Sequence, residues 1–476
     1  MKKVIIIGAG PAGLTAAYEI SKQSNFNIII LERNNELGGM ARSLELFDQI
    51  VDVGPHRFFS NDTRVNKLWL EVIEGEYKMV NRITRIFYKN KFFDYPLKPL
   101  NALFNLGLFE TLFCLLSYFK YKLFPDTNIA TFEGWVTNRF GKRLYNIFFK
   151  GYTEKLWGIP CDKLTSEFVQ QRIKKFSLGE ALTNALSLRK NNKHKTLVDQ
   201  FAYPLKGNGY VYEKMKNKII ERGVILNYNQ NITKISSLQN KFEIECNGIT
   251  FESDFLISSM PITNFFQLFN NVNSTILESV NNLVFRNTIV FYVKLNSENL
   301  FIDQWLYIQD ENILTGRITN FNNWVPEIKK NTNGTVLALE YWCYDVDPIW
   351  NISKDEILQI ASNDLILCGF IKNVVEIIDY DVIKVPKCYP VYNDSYKPHL
   401  ENIINFSNSI DNLQFIGRYG SFKYNNQDHS ILMGMLAASN IVNNEKHNIW
   451  DINTDYEYHE SSTITSTGLQ IGTKKI

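Results

Sequence analysis

The apolar residues of this chain open in short unbroken runs. Val4-Ile5-Ile6-Ile7 is β-branched and too short for a helix, so it predicts a buried strand. Leu14-Thr15-Ala16-Ala17-Tyr18-Glu19-Ile20 follows at helical spacing, then Phe26-Asn27-Ile28-Ile29-Ile30-Leu31 as a second strand, so residues 1–60 read as βαβ. Residues 78–96 alternate like a hairpin, with Arg85-Ile86-Phe87-Tyr88 turning at Lys89-Asn90-Lys91 into Phe92-Phe93. Residues 97–199 carry helical periodicity without strand signals and predict a helical insertion. Strand patterns return over 218–262, at Val224-Ile225-Leu226, Ile232-Thr233-Lys234-Ile235, Phe242-Glu243-Ile244 and Asp254 to Pro261. Residues 280–345 and 380–392 are β-rich, and 411–443 read as strand, Gly-Arg turn, helix. From about residue 446 the chain is polar and Ser/Thr-rich, which predicts a loose tail over 446–476.

Composition narrows the class. At 476 residues the chain is too long for one small domain, and 45% hydrophobic with 21% charged residues is an ordinary globular balance. Lys+Arg 51 against Asp+Glu 49 leaves a formal charge of +2, so no global field favours nucleic acid. The six cysteines are scattered without a CxxC pair, which argues against a zinc site or a disulfide framework and fits a reducing, cytoplasmic setting; no metal site is expected. Lys2-Lys3 before an apolar run resembles a signal peptide, but glycines interrupt the run. No stretch reaches the ~18 apolar residues of a transmembrane segment. Leu106 to Phe119, broken by Glu110 and followed by Lys120 and Lys122, suits a membrane surface or an amphipathic core helix, and the second reading is the one we prefer.

The chemistry begins between the first strand and the first helix. Gly8-Ala9-Gly10-Pro11-Ala12-Gly13 has the spacing of a dinucleotide-binding turn. Gly8 would make the turn, Gly10 would admit a pyrophosphate, and Gly13 would let the helix pack close to the strand. The helix N-terminus would face the phosphates, and Glu32, at the end of the second strand, would accept from ribose hydroxyls. Arg33 and the pair Gly38-Gly39 follow Glu32 at the position of a second phosphate-side loop, which resembles the signature of FAD enzymes of the amine-oxidase type. There is no second GxGxxG, hence no sign of a separate NAD(P)H domain.

Five later segments, taken in order, resemble UDP-galactopyranose mutases over residues 1 to about 443. They are Gly54 to Ser60, Gly151-Tyr152-Thr153-Glu154-Lys155-Leu156-Trp157-Gly158, Trp305-Leu306-Tyr307 with Gly316-Arg317, Tyr389-Pro390-Val391-Tyr392, and Gly417 to Ser430. The wider relatives are flavin amine oxidases and protoporphyrinogen oxidases. The resemblance implies an α/β chain, α+β overall. It has a glutathione-reductase-like Rossmann FAD domain (1–60, 200–262 and 410–445), a helical insertion (97–199) and a β-rich substrate domain (61–96 and 263–409). It implies a nucleotide-sugar substrate and pyranose–furanose isomerisation in polysaccharide biosynthesis. Catalysis would use N5 of reduced FAD as nucleophile, with NAD(P)H one candidate reductant. It implies roles residue by residue. Arg317 and Arg172 would hold the diphosphate, although Lys174 and Lys175 beside Arg172 could take that part. Tyr307, Tyr389, Tyr424 and Trp324 would surround the phosphates, and Phe148, Thr153 and Trp157 would line the uridine and sugar region. His56 would meet the flavin ring. Arg418, Asn426 and Gln427 would lie close to flavin and sugar, with Gly39 and Arg33 on the cofactor. The rivals are an FAD-dependent oxidoreductase, whose site should be apolar, and a flavin-carrying scaffold without turnover.

Overall fold

The computed structural model describes residues 1–95, 97–166, 200–270, 272–330 and 333–452. A parallel five-stranded sheet has the order Leu413–Phe415, Phe255–Ser258, Lys2–Ile7, Phe26–Leu31, Ile225–Asn227. Its middle strand pairs Ile5 with Leu256 on one side and with Ile29 on the other. Strands covered on both faces need apolar residues at nearly every position, which is why they read as runs rather than alternations. The helices Pro11–Ile20 and Gln427–Val442 pack on this sheet, and Ala12, Ala16, Met433 and Ala437 share one core with Ile6 and Ile30.

A mixed seven-stranded sheet forms the second layer. Its order is Ile377–Pro390, Phe285–Leu295, Thr335–Cys343, Arg317–Asn320, Trp305–Ile308, Thr84–Tyr88, Lys91–Asp94. The expected hairpin is its edge, with Lys89 and Asn90 at positive φ in the turn. Trp305–Ile308 runs parallel to Thr84–Tyr88, so the hairpin is stitched to a sheet more than 200 residues away in sequence.

Two local readings differ from the structure. Residues 63–73, expected in the β-rich part, form a helix whose Val65, Leu68, Trp69 and Val72 pack in the core of the parallel sheet. The strand pattern expected from residue 218 starts later, because Tyr210–Glu221 is a helix that buries Val211, Tyr212, Met215 and Ile219. Those residues recur at three- and four-residue steps, a helical period.

The helical part comprises Pro99–Leu106, Leu108–Leu123, Phe132–Phe140 and a segment that runs through one wide π-type turn (Asn146–Lys150) into Gly151–Trp157. The second of these helices is not the core helix preferred from sequence. It fully buries Cys114 alone and exposes Leu108, Phe109, Leu112 and Leu116. No helix among the described residues is long and apolar enough to cross a membrane.

Candidate active site

A cavity of about 940 Å³ lies between the two sheets, near the upper end of ordinary ligand-site sizes. One end is the glycine turn. Gly8 sits at φ +98°, and a side chain there would run into Ser259 Oγ. A methyl at Gly13 would strike the Gly8 carbonyl, so the helix can approach the turn only with glycine at this position. Glu32 is buried, and its carboxylate accepts from Ala9 N at 2.7 Å and Asn34 N at 2.9 Å. Those two bonds fix the carboxylate and leave lone pairs for ribose hydroxyls. Gly10, Gly39 and Arg33 line the same end, with Arg33 on the exposed rim.

The other end is cationic and phenolic. Arg317 and Glu340 are cross-strand neighbours and form a fork-on-carboxylate pair, Nε to Oε1 2.6 Å and Nη2 to Oε2 2.5 Å. Burial opposes the Arg317 charge, but Glu340 holds its pKa well above the ordinary value. Nη2 also reaches Tyr389 Oη at 3.5 Å, and the Arg317 side chain lines the cavity. Arg418 donates to the Asn425 carbonyl at 2.7 and 2.9 Å and to the Cys388 carbonyl at 3.3 Å. Its guanidinium lies 4.8 Å from the Tyr424 ring and 5.4 Å from that of Tyr389, and these two rings stack at 5.3 Å. Tyr307 meets Tyr95 edge-on, and Arg82 lies over Tyr95. All of these line the cavity.

His56 lies in the middle. Burial first, then the nearby charges of Arg418 and Arg317, push its imidazole down to about 3, so it is neutral at ordinary pH. Its buried Nδ1 makes no hydrogen bond of good geometry, and the Gly54 backbone beside the ring offsets the downward shift only in part. Gln427 sits at the start of its helix, accepts from Tyr212 Oη at 2.7 Å, and donates to the Arg57 carbonyl and Asn208 Oδ1. Asn426 caps that helix. The glycine cradle and Glu32 fit a dinucleotide cofactor at their end of the cavity.

Five other expected residues stand differently. Arg172 lies outside the described residues. Phe148 is buried against Phe93 at 5.0 Å, and Trp324 packs among Phe201, Tyr203 and Trp305, so neither lines the cavity. Trp157 is fully buried behind Tyr389 and Tyr424 and backs the site rather than facing it. Thr153 is also buried. Its neighbour Tyr152 points elsewhere, edge-on to the cavity-lining Tyr307 at 5.1 Å and to Trp342 at 5.5 Å. The helical turn of about 100° per residue separates these adjacent side chains.

Sequence reasoning missed Glu340, Tyr419, Arg42, Arg57, Arg82 and Tyr95, all on the cavity wall. Arg57 and Tyr419 had a local signal, since they lie within the Gly54–Ser60 and Gly417–Ser430 segments. Also missed was Asp52, buried under the His56 loop. It accepts from Ser43 Oγ at 2.5 Å, Tyr203 Oη at 2.7 Å and Asn208 N at 3.1 Å. Burial outweighs these donors and pushes its carboxyl from 3.8 up to about 7. The folded state therefore holds a proton that the unfolded chain releases near its ordinary pKa. Stability should be full below about 4 and decline as pH rises through about 7, by at most ~1.4 kcal/mol per unit. Urea midpoints measured across that window should show this slope, and Asp52→Asn should flatten it. A parent and variant of equal slope would mean that Asp52 is ionised in the folded protein.

Comparison with known proteins agrees with this geometry. Residues 6–72 match the model of an NAD(P)-binding Rossmann-like domain. The coproporphyrinogen III oxidase of Staphylococcus aureus is 26% identical over 279 residues, 52% of this chain and 57% of that protein. A probable UDP-galactopyranose mutase of Klebsiella pneumoniae is 27% identical over 195 residues, 38% of this chain and 48% of that protein. The chain thus spans about half the length of these curated relatives. The crystal structure of a reduced UDP-galactopyranose mutase superposes with TM-score 0.81 at 20% identity, covering 95% of this chain and 98% of the other. A putative protoporphyrinogen oxidase from Exiguobacterium superposes at 0.73 with 14% identity, covering 93% and 99%. Fold and cavity define a two-layer architecture with a dinucleotide-binding, Rossmann-like half. Within it, the chain has the UDP-galactopyranose mutase-like fold.

Proposed function

We propose that this protein is an FAD-dependent nucleotide-sugar mutase that interconverts pyranose and furanose rings, with UDP-galactopyranose the first substrate to test. The observation that carries this reading is the cationic, phenol-rich end of the cavity, Arg317 and Arg418 with Tyr307, Tyr389 and Tyr424, beyond the dinucleotide cradle. An oxidase for an apolar substrate has no use for buried arginines there, whereas a leaving diphosphate needs them. In this reading the discontinuous segments 1–60, 200–262 and 410–445 carry the cofactor.

Reduced flavin, when bound, would supply a nucleophilic nitrogen to the anomeric carbon. The chain's own residues position and stabilise charge. Arg317, held in place by Glu340, offers its guanidinium to a phosphate oxygen. The burial that pushes the Tyr389 phenol well above its ordinary pKa keeps it protonated, so it donates rather than repels. Neutral His56 can accept or donate at Nδ1 without adding charge beside the flavin. The stacked rings of Tyr389 and Tyr424 exclude water from the cleaving bond, which strengthens each of these contacts.

The match to a coproporphyrinogen III oxidase favours a second reading, an FAD-dependent oxidoreductase. Counting product against reductant separates the two. Anaerobic protein reduced by one equivalent of dithionite should form many furanose molecules per flavin while the flavin stays reduced. One oxidised or reduced product per electron pair would establish the oxidoreductase instead.

A further inference from the structure

The helix Leu108–Leu123 presents an exposed apolar stripe among the described residues. Leu108 is 77% exposed, Phe109 82% and Leu123 73%, with Leu112 and Leu116 on the same line. Leu108, Leu112, Leu116 and Leu123 follow at steps of four, four and seven residues, and Phe109 lies three before Leu112, which puts them on one face. Phe104, on the preceding helix, and Phe124, just past the end, lengthen the stripe. A contiguous apolar surface of this kind on a folded chain marks an interaction site. At 16 residues the helix is about 24 Å long, too short to span a bilayer but suited to lying along one.

Charge selects the occupant. Residues 98–163 hold nine Lys and Arg against five Asp and Glu, although the whole chain is only +2. The one acid on the helix, Glu110, is ion-paired with Arg143. Lys120 and Lys122 are exposed at the helix end beside the stripe. A second copy docking face to face would oppose like charges. A bilayer with anionic headgroups would receive both the apolar stripe and the lysines.

We propose that this face docks the protein on anionic membrane surfaces. The inference is independent of the reaction catalysed. The test is flotation of the purified holoprotein with vesicles of phosphatidylcholine alone and with phosphatidylcholine–phosphatidylglycerol mixtures, at low and raised salt. Protein should float with the mixed vesicles, with about a tenfold smaller bound fraction on phosphatidylcholine alone and a marked loss at raised salt. F109S/L112S/L116S should lose vesicle binding while keeping its flavin and melting temperature. K120E/K122E, which leaves the stripe intact, should bind mixed vesicles no better than neutral ones. Parent protein that floats with neither vesicle overturns the proposal. So does sedimentation as a dimer that the triple variant dissociates, which would assign the face to a second copy.

Discussion

Arg317→Ala should lower kcat/KM for UDP-galactopyranose by about 30- to 1000-fold, the loss of a charge-assisted contact worth ~2–4 kcal/mol in a desolvated site. The geometry adds a second consequence. Glu340 is 2% exposed and would lose its partner, and breaking a buried pair from one side costs about 3–5 kcal/mol of stability. Arg317→Lys separates the two effects, because it keeps a cation near Glu340 and removes the fork. It should fold, retain flavin and still lose activity. The measurements are kcat/KM and UDP affinity on protein of checked flavin content. Folded variants with near-parental values for both would show that the diphosphate does not bind here. The roles of Tyr307, Tyr389 and Tyr424 would then fall too, since they assume the same position.

Gly10→Val and Gly13→Val should fail in different ways. Gly10 has φ −82° and ψ −177°, a conformation valine accepts, and a Cβ there would find only Gly39 Cα at 3.9 Å. The variant should fold, but the added methyls would occupy the space between the two glycine loops where a pyrophosphate must lie. We expect folded, colourless protein. At Gly13 a Cβ meets the Gly8 carbonyl of the chain's own turn, so Gly13→Val should not give a stable fold. Flavin absorbance per polypeptide and thermal melts by circular dichroism distinguish the outcomes. A yellow Gly10→Val protein with full flavin content would remove the pyrophosphate from this turn.

The contrast between those glycines marks where sequence reading works. The turn, the first helix, Glu32 and the two strands are set within some thirty residues by local geometry, so spacing alone located them. The same holds for the hairpin at Lys89-Asn90, where two positive-φ residues join two alternating runs. Ordered segments also pointed to Arg317, Tyr389, Tyr424 and Arg418, which the fold brings to one cavity from strands and turns far apart in the chain. Local pattern could not say which face a residue takes once a helix packs. Thr153 and Tyr152 are adjacent, yet tertiary contact turns only Tyr152 toward Tyr307. Trp324 looked like a phosphate-side aromatic and is a core ring, because Phe201, Tyr203 and Trp305 close around it from distant segments. Glu340 carries no motif and acquires its importance only by lying across the sheet from Arg317. The stripe from Leu108 to Leu123 has the periodicity of a core helix, and only its exposure in the folded chain makes it a surface. By itself the sequence determined the dinucleotide cradle and the order of elements, since these follow from backbone sterics and short-range spacing. The tertiary structure decided which side chains face the cavity, which are buried behind it and which are left to solvent, because that depends on what packs against each face.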